Sequence, residues 1–331
     1  MKDSHYDVVG IGNAIVDIIA RCDVELLAQQ DVAKGHMQLV DSTRIAQLYD
    51  AIGPAIEMSG GSAANTIAGV ASFGGRAGYI GKVSDDEFGR IFTHDIRAIG
   101  VEFSTPPATD SQPTARSLIL VTPDGERTMN TFLGVSPELS VADLDADMIS
   151  AGNILYLEGY LFDAPSAKQS FREAARIAKA ADRRVALTLS DGFCVERHRS
   201  EFLDFIRNDV DVLFANEQEI TSLYQSSSFD EAAALIKADT ALCALTRSEK
   251  GSIIVSNEHS LIIPPYPVET VTDTTGAGDL YAAGFLYGYS NSLALDVCGK
   301  LGSLAAAEAI SHLGARPERN LKDLATETRL L

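Results

Sequence analysis

Near the C-terminal end, the stretch Asp273-Thr274-Thr275-Gly276-Ala277-Gly278-Asp279 sets two glycines between two aspartates. It follows an apolar run through Val268 and Val271. It leads into Leu280-Tyr281-Ala282-Ala283-Gly284-Phe285-Leu286, a composition that favours a helix, so Gly276 to Asp279 are predicted to form a helix N-terminus. Such a terminus presents unpartnered backbone N–H groups and the positive end of the helix dipole, and holds an anion without any lysine. Two glycines leave no Cβ atoms between a phosphate and those groups. Asp279 has two readings. An isolated aspartate here is most often a helix cap. Beside an anion hole it is also placed to act as a general base, taking a proton from an attacking hydroxyl while the N–H groups hold the transferring phosphoryl oxygens.

Two further polar sets accompany it. Tyr6-Asp7-Val8-Val9-Gly10-Ile11-Gly12 reads as a buried strand ending in glycine, the edge at which α/β folds hold ligands. Asn13 and Asp17 follow, either as turn formers or as ligands, since two carboxylate oxygens accept hydrogen bonds from a vicinal diol. Gly60-Gly61-Ser62-Ala63-Ala64-Asn65 prepares a second helix start, whose N–H groups suit a hydroxyl as well as an anion. A close helix–helix contact would explain its alanines but not Asn65, which adds a donor and an acceptor.

Residues 273–279 resemble the C-terminal signature of the ribokinase-like family of carbohydrate and nucleoside kinases. The double glycine with Asn65 resembles that family's N-terminal signature, and the likeness runs in the family's order from Gly12 to Gly314. It implies that Asp279 is the catalytic base, that Gly276, Ala277 and Gly278 form the anion hole, and that Gly60, Gly61 and Asn65 lie in the sugar site. Gly12 to Asp17 is similar to the opening of adenosine kinases within the family, which implies ribose hydroxyls on Asp17 and a base near Asn13. By the same resemblance Leu133 faces the acceptor and Tyr160, or its neighbour Leu161, meets a nucleobase; Ile15 adds apolar surface.

Asn216-Glu217-Gln218-Glu219 resembles the family's motif linked to magnesium and phosphate. Asn216 and Glu219 are the matching positions, with Glu219 acting on Mg²⁺ indirectly; the other reading is a helix N-cap with an acidic first turn. Thr246 and Gly251 match a strand-end loop under the ATP phosphates, where Ser248 replaces a common glycine and Arg247 could meet a phosphate or merely solvent. Leu304 to Ala307 and Gly314-Ala315 lie where relatives close the adenine pocket of ATP and a monovalent-cation loop. Asp273 is a candidate to join that cation site, with K⁺ the ion implied.

Positioning these residues requires a scaffold. Strand-like runs near 154–157, 185–189, 212–214 and 242–245 alternate with helical stretches such as 166–180, which predicts a doubly wound, mostly parallel α/β sheet. Ser84-Asp85-Asp86-Glu87 reads as a capping box for a helix carrying Phe88, Ile91, Phe92 and Ile96 and ended by Gly100. A short helix near 25–29 and an extended piece at 37–40 come earlier. Two strand-like runs flank Thr122-Pro123-Asp124-Gly125, a hairpin signal. In the family a small β-sheet forms a lid over the acceptor; the lid segments are expected at about 15–41 and 103–135, inserted in one kinase domain spanning 1–331.

Lys plus Arg number 27 against 46 Asp plus Glu, a formal net charge of −19 without a basic block. Nucleic acid and anionic membranes are therefore poor partners, and phosphate chemistry must rest on backbone N–H groups and a metal cation. With 46% hydrophobic and 22% charged residues, a soluble enzyme fits. The opening residues 1–7 lack the apolar core of a secretory signal, and no window is long enough to span a bilayer. Four scattered cysteines, with no ligand-like spacing to histidine, point to reduced thiols in a cytoplasm. The expectation is an ATP- and Mg²⁺-dependent kinase, monomer or homodimer, acting on the 5′-hydroxyl of a nucleoside, adenosine before others. A ribose or fructose kinase is the alternative; a catalytically silent nucleoside-binding protein on the same fold is the alternative from another class.

Overall fold

The computed structural model describes residues 5–257 and 259–331; Met1 to Ser4, part of the stretch read as lacking a secretory signal, and Glu258 lie outside it. The strands in chain order are β1 (Tyr6–Ile11), β2 (Ile15–Arg21), β3 (Met37–Leu39), β4 (Ala55–Gly60), β5 (Ala77–Ile80), β6 (Glu102–Phe103), β7 (Ala115–Val121), β8 (Arg127–Phe132), β9 (Gly152–Glu158), β10 (Arg184–Thr188), β11 (Val212–Asn216), β12 (Leu242–Thr246), β13 (Ser252–Ser256) and β14 (Ser260–Ile263). They form a nine-stranded sheet, ordered β14-β13-β12-β11-β10-β9-β1-β5-β6, and a five-stranded sheet, ordered β3-β8-β7-β2-β4. In the larger sheet β13 alone runs against the other strands, so that only the pairs β12–β13 and β13–β14 are antiparallel.

The near-continuous apolar runs of β1, β9, β10, β11 and β12 are what a sheet covered on both faces demands. Side chains alternate between two core layers. Val8, Tyr156 and Phe214 pack with Leu280, Phe285 and Leu301, from the helices Ala277–Ser290 and Leu295–Ala309. Val9, Leu155 and Leu213 pack on the opposite face with Phe171, Phe202 and Phe205, from Pro165–Ala180 and Gly192–Asp209. The doubly wound, mostly parallel architecture expected from the alternation of elements is present, with the smaller sheet beside it. Among the described residues no helix is long and apolar enough to cross a membrane, and all four cysteines are free thiols.

Two details differ from the sequence reading. The helix Glu87–Ala98 is capped by Asp86, whose carboxylate accepts from the Gly89 N–H at 2.8 Å, and not by Ser84. Asp86 also accepts from the N–H and hydroxyl of Thr114, so the capping residue ties the helix to the approach to β7. Secondly, the smaller sheet contains β4, outside the segments 15–41 and 103–135, paired antiparallel with β2 through Asp17↔Met58 and Ile19↔Ile56.

Candidate active site

Strand order reverses between β1 and β9: from β1 the chain continues through β5 and β6 on one side, and from β9 through β10 to β12 on the other. Ligands of doubly wound sheets sit outside the carboxyl ends of the strands at such a point. A cavity of about 770 Å³ occupies it, roofed by the smaller sheet. Asn13 and Glu158, just beyond and at the ends of the two diverging strands, meet across the switch point, Asn13 Nδ2 donating to Glu158 Oε1 at 2.6 Å.

The helix Ala277–Ser290 starts at this cavity, as its sequence predicts. Gly276 is its N-cap with φ +78°, and a Cβ there would lie 2.6 Å from the Cβ of Ala315. Glycine is therefore required both by the left-handed backbone and by the close approach of residues 314–315. The Ala277 N–H donates to the Thr274 carbonyl at 3.3 Å, while those of Gly278 and Asp279 have no bond within the described chain. Apart from its chain neighbours and its own helix backbone, no atom of the described residues lies within 4 Å of where a Gly278 Cβ would be, which leaves an open cradle for an anion at the helix start. Asp279 projects into the cavity. Ser62 Oγ donates to its Oδ1 at 2.6 Å and Asn65 Nδ2 to its Oδ2 at 3.0 Å, both from the helix Ser62–Ser72. Burial raises its pKa; the two hydrogen bonds and the Arg316 charge oppose the rise. Asp279 is not bonded to its own helix as a cap, because its oxygens face Ser62 and Asn65.

Asp17 enters from the roof. Side chains alternate along β2, so Val16, Ile18 and Ala20 go to the core while Ile15 and Asp17 face the cavity. Cross-strand register then builds rows on the cavity side. Asp17, Ser117, Thr131 and Leu39 form one, and Ile19, Ile119, Met129 and Met37 the next. Asp17 accepts no hydrogen bond within the described chain. Burial pushes its carboxyl up to about 7, against the pull of Arg316 and Arg127. A Cβ on Gly60 would lie 2.2 Å from Asp17 Oδ2, so Gly60 makes room for this carboxylate without itself lining the cavity. Gly61 does line it, at φ +96°, with its Cβ position 2.2 Å from the Asn13 carbonyl oxygen. Leu133, Tyr160 and Leu161 stand in the same wall. The side-chain oxygens of Asn13 and Asn65 are buried without partners among the described residues, acceptors that a bound hydroxyl or N–H would satisfy.

On the far side of the cavity, Asn216 and Glu219 are brought together with Thr246. Their local structure is the helix-cap reading: Asn216 Oδ1 accepts from the Glu219 N–H at 2.8 Å, and the Glu219 carboxylate accepts from both the N–H and Nδ2 of Asn216. Burial pushes Glu219 up to about 7, with Asp191 and Asp279 adding to the rise. Both its oxygens are engaged, so the carboxylate is not free as a direct metal ligand. Among the described residues no three acidic, histidine or cysteine side chains cluster as a metal site. Gly251, at φ +80° and against the Ile263 carbonyl, shapes the turn into β13 and does not reach the cavity; neither does Ala277. Arg247 pairs with Glu217, and its guanidinium carbon lies 4.0 Å from the centroid of the Phe229 ring.

Sequence reasoning missed Glu158. It is 1% exposed, accepts from Asn13 and from the Ala63 N–H at 2.8 Å, and is pushed up to about 7 by burial. Its signal was present: a carboxylate closing the apolar run Ile154-Leu155-Tyr156-Leu157, directly before Gly159. Ser62 as the partner of Asp279 could not be foreseen, because it depends on how two helix starts face one another.

A model of the pfkB family carbohydrate kinases matches residues 56–321. The adenosine kinase of Sinorhizobium meliloti is 53% identical, with a TM-score of 0.91 over 98% of this chain and 99% of that one. A probable sugar kinase of Rhizobium etli CFN 42 is 49% identical, with a TM-score of 0.93 over 99% of this chain and 100% of that one. An uncharacterized sugar kinase of Archaeoglobus fulgidus is 27% identical over 248 residues, 75% of this chain and 96% of the relative. The match over most of its length, with an open helix start facing a held carboxylate, places the chain in the pfkB family of carbohydrate kinases, as a kinase that phosphorylates a hydroxyl of a sugar or nucleoside.

Proposed function

We propose that the protein transfers the γ-phosphoryl group of ATP to the 5′-hydroxyl of a nucleoside, and that the nucleoside is adenosine. Asp279 takes the hydroxyl proton as the oxygen attacks phosphorus and the bond to ADP breaks; Ser62 and Asn65 hold the carboxylate while leaving each oxygen a further acceptor position. The N–H groups of Gly278 and Asp279 stabilise charge on the transferring group. Asp17 accepts from the ribose diol. Glu219, whose two oxygens are already bonded to Asn216, would hold Mg²⁺ only through water, and the ion would supply positive charge to the nucleotide phosphates.

The choice of a nucleoside over a free sugar rests on the roof. Met37 and Leu39 are 46% and 59% exposed, yet they stand in the cavity wall beside Asp17 with Ile15, Ile119 and Met129. A free sugar held by Asp17, Gly61 and Asn65 leaves this apolar surface wet. A purine covers it. Burying ~100 Å² of ring at ~25 cal/mol per Å² contributes about 2.5 kcal/mol, nearly a hundredfold in affinity. The 53% identity to a solved adenosine kinase supports the same choice. Titration calorimetry of adenosine and of ribose decides: adenosine is expected to bind on the order of a hundredfold tighter, and equal or reversed affinities would leave a sugar kinase.

A further inference from the structure

The monovalent-cation role expected for Asp273 does not fit its surroundings. Asp273 is buried, and both of its oxygens are engaged: Oδ1 accepts from the Thr275 N–H at 3.0 Å, and Oδ2 from the Gly314 N–H at 3.0 Å. Oδ2 also lies 2.5 Å from Nη2 of Arg127, a guanidinium whose side chain is 8% exposed. Arg127 opens β8 and shares the cavity-side parity of Met129 and Thr131, so it reaches down from the smaller sheet to the loop of the larger one. None of its three nitrogens makes an aligned hydrogen bond among the described residues, so it is held to Asp273 as an ion pair. A metal cation on the Asp273 carboxylate would sit against this charge, and like charges at contact in a buried site repel strongly.

We infer that Arg127 is a built-in cation for this site. It neutralises Asp273, and Asp273 in turn holds the Thr275 N–H and the Gly314 N–H, which fix the two segments that meet at Gly276. Arg127 is thus a positioning residue: it touches no reacting atom, and it ties the set of the smaller sheet to the shape of the anion-binding helix start. Two consequences follow. Turnover needs no added monovalent cation, and loss of the guanidinium leaves a buried negative charge that a small cation can then occupy. Both rest on the proposed anion hole at Gly278 but not on the identity of the acceptor, so the test uses whichever acceptor the parent enzyme turns over best.

ADP release is measured at constant ionic strength with potassium, sodium or tetramethylammonium as the sole monovalent cation. The parent enzyme is expected to give the same kcat in all three. Arg127→Met, which keeps the length of the stem, is expected to lose on the order of 10- to 100-fold in kcat with a smaller change in the KM of the acceptor, and to regain part of it with millimolar guanidinium or potassium ion. Those ions should not stimulate the parent. A parent enzyme that requires potassium overturns the inference without recourse to any variant. So does an Arg127→Met protein that keeps full kcat in tetramethylammonium, or one that folds by circular dichroism but is rescued by neither ion. An enzyme inactive on every acceptor would instead count against the function proposed above.

Discussion

Asp279 and Asp17 are carboxylates in one cavity, but the chain treats them differently. Asp279 is oriented by two donors, whereas Asp17 has none among the described residues, which suits the proposed contact with a diol. Replacing Asp279 by Asn keeps size and hydrogen bonding and removes basicity. Turnover is expected to fall by ~10² to 10⁴ with adenosine and ATP affinities nearly unchanged; a kcat within a few-fold of the parent would remove Asp279 from the base role. Asp17 titrates near neutrality because burial raises it to about 7. Its proton is therefore taken up as pH falls through 7, and with it goes the charge that accepts from the diol. The KM of the acceptor should rise as pH drops from about 8 to 6 while the KM of ATP changes less, and Asp17→Asn should flatten that rise. An acceptor KM that stays level in the parent contradicts the assignment. Both aspartates were singled out in the sequence, Asp279 because it follows Gly278 at a predictable helix start and Asp17 because it comes soon after the strand that ends at Gly12. Glu158 and Arg127 were not, since the partners that give them meaning lie far along the chain.

At the scale of elements, the parallel strands and both glycine-led helix starts could be read directly from apolar runs and breakers. The capping residue of the helix Glu87–Ala98 could not. Ser84, Asp85 and Asp86 all have cap chemistry, and the choice of Asp86 follows from its additional bonds to Thr114, a long-range partner. Strand β4 escaped notice for a similar reason: it is a short run, Ala55-Ile56-Glu57-Met58-Ser59-Gly60, defined by its pairing with β2. Asp86→Ala removes a cap and the link to Thr114 together, so a loss of about 1–3 kcal/mol is expected. Urea unfolding should show a lower midpoint with kcat per folded molecule unchanged, and an unshifted midpoint would mean that Asp86 is not the capping residue that matters.

For the whole molecule, the larger sheet supplies the switch point and the smaller sheet supplies Asp17 and the apolar roof, so in the proposed reading chemistry and acceptor choice come from different parts of the chain. The strong acidity fits the proposed binding of phosphate at a helix start, with cationic side chains gathered locally, Arg127 and Arg316, in place of a basic surface. ADP release can be followed with adenosine, inosine, guanosine, ribose and fructose at matched concentrations, with the phosphorylated position of each product identified. The roof and the open helix start together predict the highest kcat/KM for adenosine and phosphate on its 5′-oxygen, whereas a preference for ribose or fructose would contradict the nucleoside assignment and leave the kinase chemistry in place.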